Sequence, residues 1–373
     1  MTLRLGVDAT PLHKPLTGVG QYTYRLLKAL GDSYPEADYV LYTNRKPAGL
    51  ALPLPQAELV AGHFPFSRWL WLHLILPGLV LEDRPALLHF PNASAPIAVR
   101  LPYVLTIHDL SLFRHPGLHP RGRHVTMRTL LPQAARRSAA VICVSEFTRL
   151  EARRVLGLSA ESLHVVPLAA GPEFRPITDA ASCQRIRSEY GLPDRFLLFV
   201  GTLEPRKNLD RLLRACAILR AMGHALPLVI AGKMGWHMKS FQSEVQSLGL
   251  EDHVLTLGYV RQDHLPCLYS LATAFVFPSL YEGFGLPVLE AMACGTPVIM
   301  SNRPAHNQTA GDAAMSFDPE DEAAMADGIR QMLSSHETME EYRRRGLVRA
   351  AEFSWRRAAE QTYQVYQRAL SGG

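Results

Sequence analysis

Long hydrophobic runs are missing from this 373-residue sequence. The most apolar stretch, residues 69–80, is shorter than the roughly 20 residues of a membrane-spanning helix, and His73 and Pro77 interrupt it. We expect a buried helix there. A helix lying in the membrane interface is the alternative, because tryptophans favour the headgroup zone. Residues 1–4 run straight into a strand pattern, so we expect no secretory signal.

Cysteine and paired aspartates are also scarce. The five cysteines are scattered and show none of the spacings that hold a metal ion, which predicts reduced thiols in a cytoplasmic protein. The chain has no aspartate-x-aspartate triplet that would hold a metal ion on a diphosphate. We therefore expect neither a metal ion nor a cofactor.

Charge is present but uneven. Residues 1–173 carry eighteen lysines and arginines against twelve acidic residues, a net charge of +6, and the remainder carries twenty-one against twenty-two, a net charge of −1. A basic first half indicates an anionic acceptor or an anionic membrane surface. We expect no nucleic acid as a partner, because no basic motif with interleaved aromatic residues is present.

The chain predicts an α/β protein. Short buried strands alternate with amphipathic helices, as in two successive nucleotide-binding folds. The Gly/Pro-rich residues 169–176 indicate a boundary between them. We expect a first domain over residues 1–172, a second over 173–352 and a terminal helix over 353–373.

One stretch, residues 279–297, is more informative than the rest. It follows a buried strand at 274–278, and Gly283 and Gly285 then predict a loop where backbone approaches a ligand closely. Pro287 suits the first position of a helix, and Gly295 suits the left-handed position after its end. The stretch therefore predicts a strand, a glycine loop, a short helix and a further strand.

Two glutamates, Glu282 and Glu290, flank the start of this helix. If everything between them were helical, eight residues would separate them by ~12 Å, more than the ~5 to 9.5 Å between the carboxyl groups of glycoside hydrolases. We expect them to hold two parts of one elongated ligand, with its phosphate at the helix start, as in a nucleotide sugar. The alternative is that Glu282 caps the loop and Glu290 is solvated.

Arg206 and Lys207 follow another buried strand, at 196–201. Ligands of open α/β sheets bind outside the carboxyl ends of the strands, where a guanidinium fork and a point charge suit a diphosphate. We expect an exposed loop here. Surface cations without a ligand are the alternative.

Weaker candidates lie in the first half. His108 follows a strand at 103–107, a position that favours function over a structural role. Gly18 and Gly20 open a helix after the first strand, as in a phosphate-binding loop, with a plain tight turn as the alternative. A basic segment, residues 114–137, is expected to be a solvated helix face or to hold acceptor phosphates.

The stretch 279–297, together with the arginine–lysine pair, resembles the signature of retaining glycosyltransferases of family 4, in which seven residues separate two glutamates. The resemblance implies the GT-B fold: two facing Rossmann-like domains, a deep interdomain cleft, and a C-terminal helix that crosses back to the first domain. It is close in the second domain and loose in the first. The family has a proline–glutamate pair where Asn307 and Gln308 stand, which leaves the ligand contacts there open.

The resemblance also implies roles for residues. Glu282 and His108 would contact the transferred sugar, Glu290 the ribose, and the backbone near Tyr259 and Val260 the base. The predicted catalytic residues are Glu282, His108, Arg206 and Lys207. The predicted nucleotide-sugar-binding residues are Gly18, Gly20, Arg206, Lys207, Tyr259, Val260, Phe284, Gly285, Leu286 and Glu290.

The implied activity is metal-independent transfer of a hexose with retention of configuration, mannose or rhamnose from a GDP-linked donor. The implied acceptor is a lipid-linked saccharide of bacterial lipopolysaccharide O-antigen or exopolysaccharide synthesis, used by a cytoplasmic protein peripheral to the inner membrane. A nucleotide-sugar epimerase of the same fold and a non-catalytic nucleotide-sugar-binding subunit are the alternatives. Sugar, base, acceptor and linkage stay open.

Overall fold

The computed structural model describes residues 3–13, 16, 18–47, 51–62, 67–119, 121–224, 226–235 and 241–371, with the backbone alone for 121–126. The chain forms two compact units. Unit 1 comprises Met1–Leu168 and Ser354–Gly373, and unit 2 comprises Ala169–Phe353. The predicted boundary after residue 172 lies four residues after the observed one, and the predicted boundary after residue 352 lies one residue before the observed one.

Unit 1 is built on a seven-stranded sheet whose paired strands all run parallel. Its strands are β1 (Arg4–Asp8), β2 (Asp38–Thr43), β3 (Glu58–Ala61), β4 (Leu87–Phe90), β5 (Tyr103–Ile107), β6 (Ala140–Cys143) and β7 (Leu163–Val165). Their spatial order is β3-β2-β1-β4-β5-β6-β7. The direction of strand addition therefore reverses between β1 and β4, which is the position where open α/β sheets bind ligands.

The helices of unit 1 cover the sheet. They are α1 (Gly18–Ser33), α2 (Arg68–Leu70), α3 (Leu76–Asp83), α4 (Ser111–Arg114), α5 (Arg121–Arg137) and α6 (Glu146–Leu156), with 3₁₀ turns at Thr10–Leu12 and Pro116–Leu118 and a π-helical segment at Trp71–Ile75. Ser145 caps α6 by accepting a hydrogen bond from the Thr148 N–H, as its sequence position predicts.

The apolar stretch 69–80 is helical but only partly buried, so the predicted buried helix holds for its inner face alone. Trp71 is fully buried, whereas Trp69 is 50% exposed and Leu74 is 68% exposed. The π-helical segment between α2 and α3 shifts the angular spacing of the side chains along the stretch. Among the described residues, no helix combines the length and the apolar character needed to cross a membrane.

Unit 2 repeats the parallel architecture with six strands. They are β8 (Leu197–Val200), β9 (Leu228–Ala231), β10 (Val254–Gly258), β11 (Ala274–Phe277), β12 (Val298–Ser301) and β13 (Met315–Phe317), in the spatial order β10-β9-β8-β11-β12-β13. The strand order reverses between β8 and β11. The two loops that follow these strands therefore begin side by side.

The helices of unit 2 pack around a single apolar core. They are α7 (Ala180–Tyr190), α8 (Leu209–Ala221), α9 (Phe241–Ser247), α10 (Leu265–Leu271), α11 (Leu286–Ala293), α12 (Pro304–Ala310), α13 (Glu322–Met332) and α14 (His336–Ala351), with a 3₁₀ turn at Pro205–Lys207. Strands β8, β9, β11 and β12 are buried almost throughout, which explains why they read as continuous apolar runs in the sequence.

The last helix, α15 (Trp355–Ser371), belongs to unit 1 and packs against α1, β5 and β6. Tyr366 on α15 is buried, and its hydroxyl lies 2.7 Å from Nδ1 of His89 on β4. Two parallel-sheet Rossmann-like domains with a terminal helix returning to the first confirm the predicted fold class.

Candidate functional site

Two loops of unit 2 lie at the point where the strand order reverses. The cation loop, residues 201–208, follows β8, and the glycine loop, residues 278–285, follows β11. The Leu280 N–H donates a hydrogen bond of 2.9 Å to the Arg206 carbonyl oxygen. Asn208, in the left-handed region with a φ of 60°, donates from Nδ2 to the Pro278 carbonyl oxygen at 3.2 Å. The two loops therefore form one surface.

Four charged side chains from these loops form a continuous ion-paired cluster, which we call the charge quartet: Glu204, Arg206, Lys207 and Glu282. Oε1 of Glu204 accepts hydrogen bonds from Nε and Nη2 of Arg206, at 3.0 Å and 2.5 Å. Nη1 of Arg206 lies 2.9 Å from Oε2 of Glu282, and Nζ of Lys207 lies 2.6 Å from Oε1 of the same carboxylate. Glu282 is therefore shared between the two cations.

The charge quartet is largely buried, so the prediction of an exposed cation loop is wrong. The exposed fractions of the side chains are 13% for Arg206, 8% for Lys207 and 12% for Glu282. Nη1 of Arg206 also donates to the Tyr281 carbonyl oxygen at 2.8 Å, a further hydrogen bond between the cation loop and the glycine loop. Buried charges need partners, and here each has one: Glu204 pairs with Arg206 inside the cation loop, and Glu282 of the glycine loop pairs with both cations.

The electrostatics keep Glu282 ionised. Burial by itself raises the pKa of Glu282, but the charges of Arg206 and Lys207 outweigh burial and lower the pKa to about 2. Burial lowers the pKa of Lys207, and the Glu282 carboxylate counteracts part of that effect. Phe277 lies under the ammonium group, with its ring centroid 4.8 Å from Nζ, a cation–π contact that also favours the charged amine.

Helix α11 begins directly after the glycine loop. Gly285 has a φ of 93°, and a Cβ there would lie 3.1 Å from Cδ2 of His306, so the position favours glycine. Thr309 donates from Oγ1 to the Phe284 carbonyl oxygen at 2.5 Å and fixes the loop to α12. The helix starts at Leu286. Pro287 has no N–H and the Val288 N–H donates to the Gly285 carbonyl oxygen at 3.0 Å, so Leu286 is the helical residue whose N–H can face an anion at this helix start.

Glu290 is buried on α11, with 7% of its surface exposed, which contradicts the alternative of a solvated glutamate. The Tyr269 hydroxyl, on α10, donates a hydrogen bond of 3.2 Å to Oε2 of Glu290. Burial raises the pKa of Tyr269, and the nearby carboxylate adds to that effect, so the phenol stays protonated as a donor.

Tyr259 and Val260 lie just after β10, which ends at Gly258. Tyr259 is 49% exposed and its ring centroid lies 4.8 Å from Nζ of Lys233, whereas Val260 is buried. Tyr259 therefore exposes its ring at a strand end of the same sheet, and the backbone contact to the base that the resemblance implies stays a prediction.

Three predicted residues belong to unit 1. His108 follows β5 and its Nε2 lies 2.8 Å from the Pro91 carbonyl oxygen, with the Tyr22 ring centroid 4.6 Å away. Burial lowers the pKa of His108, so the imidazole is neutral and donates from Nε2 to that carbonyl. Gly18 is exposed at the first residue of α1, and a Cβ at Gly20 would come within 2.7 Å of the Pro11 carbonyl oxygen.

The described arginines of the basic segment have structural partners. Nε of Arg114 lies 2.9 Å from Oε2 of Glu151, and Nη1 of Arg137 donates to the Ile97 carbonyl oxygen at 2.6 Å. The side chains of Arg121, Arg123 and His124, which belong to the same segment, lie outside the described residues.

Sequence reasoning missed three side chains beside the predicted site: Glu204, Tyr269 and His306. Glu204 stands two residues before Arg206, and only the 3₁₀ turn at Pro205–Lys207 shows that its carboxylate folds back onto the guanidinium. His306 is fully buried behind Gly285, with Nδ1 2.8 Å from the Ser301 hydroxyl. Burial lowers the pKa of His306 to about 4, so it is neutral at physiological pH.

Family models match both units. The model described as Glycosyltransferase Family 4 matches residues 16–173, and the model described as Glycosyl transferases group 1 matches residues 184–348. O-antigen chain mannosyltransferase B of Escherichia coli is 32% identical over 376 aligned residues, which cover 96% of this chain and 97% of that protein.

Solved structures show the same fold at low sequence identity. Sucrose-phosphate synthase from Thermosynechococcus elongatus superposes with a TM-score of 0.82 at 20% identity, over 100% of both chains. WaaG, a glycosyltransferase involved in lipopolysaccharide biosynthesis, superposes with a TM-score of 0.76 at 16% identity, also over 100% of both. Together with the family models and the relative that matches almost end to end, these findings place the chain among the glycosyltransferases, and it belongs to glycosyltransferase family 4.

Proposed function

We propose that this glycosyltransferase moves a mannosyl group from GDP-mannose to a saccharide acceptor in the synthesis of a bacterial surface polysaccharide. The choice of mannose and of the O-antigen pathway is supported by the name of the relative that is 32% identical over 97% of its length. GDP-rhamnose is the second donor to be tested.

The observation that carries the proposal is the position of Glu282 between Arg206 and Lys207, at the reversal of strand order. Two buried cations at the carboxyl ends of parallel strands suit the diphosphate of a nucleotide sugar. When the bond between the sugar and the diphosphate breaks, negative charge builds on the leaving oxygen. Preorganised cations stabilise that charge without having to reorganise.

The proposed chemistry retains the configuration of the transferred sugar and needs no metal ion. The bond from the anomeric carbon to the leaving phosphate oxygen breaks, and the acceptor hydroxyl forms its bond to the same carbon on the same face. The hydroxyl proton passes to the leaving phosphate. Glu282 contacts the transferred sugar, while Arg206 and Lys207 hold the charge that a metal ion would otherwise hold.

We assign the nucleoside part of the donor to the other end of the site in unit 2. Glu290 accepts hydrogen bonds from the ribose hydroxyls, and Tyr269 holds its carboxylate in place. Tyr259 and Val260 lie along the base, and the N–H groups at Phe284, Gly285 and Leu286 face the diphosphate. His108, Gly18 and Gly20 keep their predicted roles toward the sugar, the diphosphate or the acceptor.

Release of nucleoside diphosphate tests the proposal. The purified chain is given GDP-mannose, GDP-rhamnose or UDP-glucose, each with and without a mannose-bearing saccharide on a polyprenyl diphosphate. We expect GDP release that depends on the acceptor and is fastest with GDP-mannose, and a product with the anomeric configuration of the donor by NMR.

The same assay separates the alternatives. A nucleotide-sugar epimerase would convert the sugar without releasing GDP. A non-catalytic subunit would bind the donor and leave it intact. Acceptor-dependent release from UDP-glucose alone would keep the glycosyltransferase and overturn the choice of GDP and mannose.

We further propose that the acceptor is lipid-linked and that unit 1 rests on an anionic membrane surface. Three large apolar side chains in or beside the segment 69–80 are exposed. Trp69 and Leu74 belong to the segment and are 50% and 68% exposed, and Ile97, whose N–H donates to Nδ1 of His73, is 48% exposed. Nη1 of Arg137 donates to the Ile97 carbonyl oxygen, so one cation adjoins the apolar side chains. The His73 ring lies 4.7 Å from that of Trp69, but burial lowers the pKa of His73, so its imidazole is neutral. Exposed cations near anionic lipid each contribute ~1 kcal/mol, an attraction that salt screens.

Vesicle flotation tests the membrane proposal. We expect the protein to float with anionic vesicles at low ionic strength and to leave them as salt rises. The double change Trp69→Ser with Leu74→Ser should reduce flotation, whereas Leu150→Ser, at a side chain that is equally 50% exposed on α6, should not. A wild-type protein that never floats at low salt would favour a soluble acceptor.

A further inference from the structure

The two carboxylates of the charge quartet are bound to the cations in different ways. Glu204 comes from the same loop as Arg206, and a single oxygen accepts from Nε and Nη2 along one edge of the guanidinium. Glu282 comes from the glycine loop and uses both oxygens, one for Nη1 of Arg206 and one for Nζ of Lys207. Glu282 is thus the carboxylate that contacts both cations.

The charges of the quartet cancel. Two carboxylates and two cations give a net charge of zero, and all four side chains are at least 87% buried by their exposed fractions of 6% to 13%. A diphosphate that enters this cluster adds negative charge to cations that are already neutralised. Because buried charges are costly without partners, one carboxylate has to yield its cations to the phosphate oxygens.

The geometry identifies which carboxylate yields. The Nε and Nη2 edge of Arg206 faces Glu204 inside the cation loop, where Glu204 is 4% exposed. The Nη1 corner and the Lys207 ammonium face the glycine loop, whose backbone continues into the start of α11. The groups held by Glu282 are therefore the ones beside the helix N-terminus, where a diphosphate is expected.

We propose that Glu204 is a positioning residue that holds the Arg206 guanidinium in place, while Glu282 gives up Nη1 of Arg206 and Nζ of Lys207 to the donor's diphosphate. This inference rests on the proposed function, because it takes the two cations as the diphosphate site. In the ligand-free site, the Glu282 carboxylate is bound to both cations and competes with the diphosphate for them. Release from the cations frees Glu282 to contact the transferred sugar at the moment the donor binds.

Isosteric amides distinguish the two carboxylates. Glu282→Gln removes the competing charge and keeps the shape, so we expect the dissociation constant for GDP to fall about tenfold in isothermal titration calorimetry, with transfer strongly reduced. Glu204→Gln still accepts from Nε and Nη2, so we expect a dissociation constant within threefold of wild type. Glu204→Ala removes the support and should raise the dissociation constant about tenfold.

The outcomes separate this inference from the proposed function. Arg206→Ala and Lys207→Met serve as tests of the diphosphate site itself, and unchanged GDP affinity in both would overturn the proposed function. If those variants lose GDP while Glu282→Gln binds it no more tightly than wild type, the diphosphate site stands and the exchange fails. Tighter binding by Glu204→Gln than by Glu282→Gln would make Glu204 the yielding carboxylate.

Variants that fold poorly do not leave the inference untested. Thermal melts establish the folded fraction before each titration. If Glu204→Ala does not fold, Glu204→Asp replaces it: the shorter side chain cannot reach both guanidinium nitrogens, so GDP affinity and turnover should fall while melting stays close to wild type. Wild-type affinity and turnover in Glu204→Asp would overturn the positioning role.

Discussion

Each unit places an ion-paired cluster at the reversal of strand order in its sheet, but only one of the two is arranged to accept a ligand anion. In unit 1, Asp8 at the end of β1 has no exposed side-chain surface and pairs with Nη2 of Arg68 at 2.8 Å. Its other oxygen accepts from the Thr10 N–H and the Thr10 hydroxyl, at 3.0 Å and 2.6 Å. Every partner of Asp8 is part of the fold.

The charge quartet of unit 2 also lies where the strand order of its sheet reverses, but its charges are paired in a different way. Glu282 contacts both Arg206 and Lys207, so its displacement frees Nη1 of the first and Nζ of the second for another anion, while Glu204 still holds the guanidinium. Arg68, by contrast, is tied to Thr10 through Nε and to Ser94 through Nη1. On our proposal, the shared and replaceable carboxylate makes the ion pair of unit 2 a binding site, whereas the fixed partners of Asp8 make the ion pair of unit 1 a structural element.

The largest expected effect is on turnover. Arg206→Ala and Lys207→Ala should each lower the rate of GDP release by a factor on the order of a hundred or more, because each removes a preorganised charge from the leaving diphosphate. Arg206→Ala should also cost about 3 kcal/mol of unfolding free energy, since Glu204 and Glu282 lose a buried partner. Steady-state assays and denaturant titrations measure both.

A matched control for these variants is Arg214→Ala. Arg214 pairs with Glu244 and Glu322 on the surface of unit 2 with 46% of its side chain exposed. Exposed ion pairs contribute little, so turnover and stability should stay near wild type. Near-normal turnover in both Arg206→Ala and Lys207→Ala would remove the charge quartet from the mechanism.

The next effect separates the two glutamates of the 279–297 stretch. Glu290→Ala should weaken GDP and GDP-mannose binding alike, by about tenfold, because it removes acceptors for the ribose hydroxyls; a lost hydrogen bond to a charged group costs ~1.5 to 3 kcal/mol. Glu282→Ala should lose transfer without weakening GDP. Equal loss of GDP affinity in the two variants would contradict the assignment of two separate ends.

A pH-dependent difference in stability follows from the lowered pKa of Glu282. The folded-state pKa of about 2 lies below the ordinary 4.5, so the folded protein favours the carboxylate. The stabilisation is complete above about pH 4.5 and is lost as the pH falls toward 2. The unfolding free energy of wild type should exceed that of Glu282→Gln by on the order of 3 kcal/mol at pH 7.

Urea titrations at several pH values measure this difference. It should stay constant between pH 7 and pH 5 and shrink below pH 4.5, because there the carboxyl takes up a proton in the unfolded state while the folded state still holds it ionised. A difference that grows on acidification would show that Glu282 is not held ionised by Arg206 and Lys207.

The smallest expected effect is that of chelation. We propose that Arg206, Lys207 and the start of α11 supply the positive charge that the diphosphate needs, and we therefore expect excess EDTA to leave the rate of GDP release unchanged. Complete loss of activity that magnesium or manganese restores would show that the diphosphate is held by a metal ion.

The sequence predicted the elements of the fold well, because buried parallel strands and amphipathic helices have distinct apolar patterns. The strand at residues 103–107 and the left-handed Gly295, with a φ of 72°, are seen as predicted. The stretch 69–80 was harder: Trp69 and Trp71 are two residues apart, about 200° around a helix, so one is exposed and the other buried, and no local pattern indicates the π-helical segment that follows.

The candidate site was predictable in its residues and not in its pairing. Arg206, Lys207 and Glu282 each stand out at a strand end, but their ion pairs depend on β8 and β11 being neighbours, a non-local fact of sheet order. Glu204 carries no signal of its own, because an acidic residue before a proline is ordinary in a loop. Burial of the cation loop likewise follows from hydrogen bonds across the two loops.

The comparison between the two units is tested most directly by titrating GDP into Arg206→Gln and Arg68→Gln under identical conditions. Both changes remove an arginine that pairs with a buried carboxylate at a strand-order reversal, so both should lower stability. The account predicts that Arg206→Gln binds GDP at least tenfold more weakly than wild type, while Arg68→Gln binds it within twofold. Equal affinities in the two variants, whether both are weakened or both are intact, would contradict the claim that the charge quartet of unit 2 is the diphosphate site.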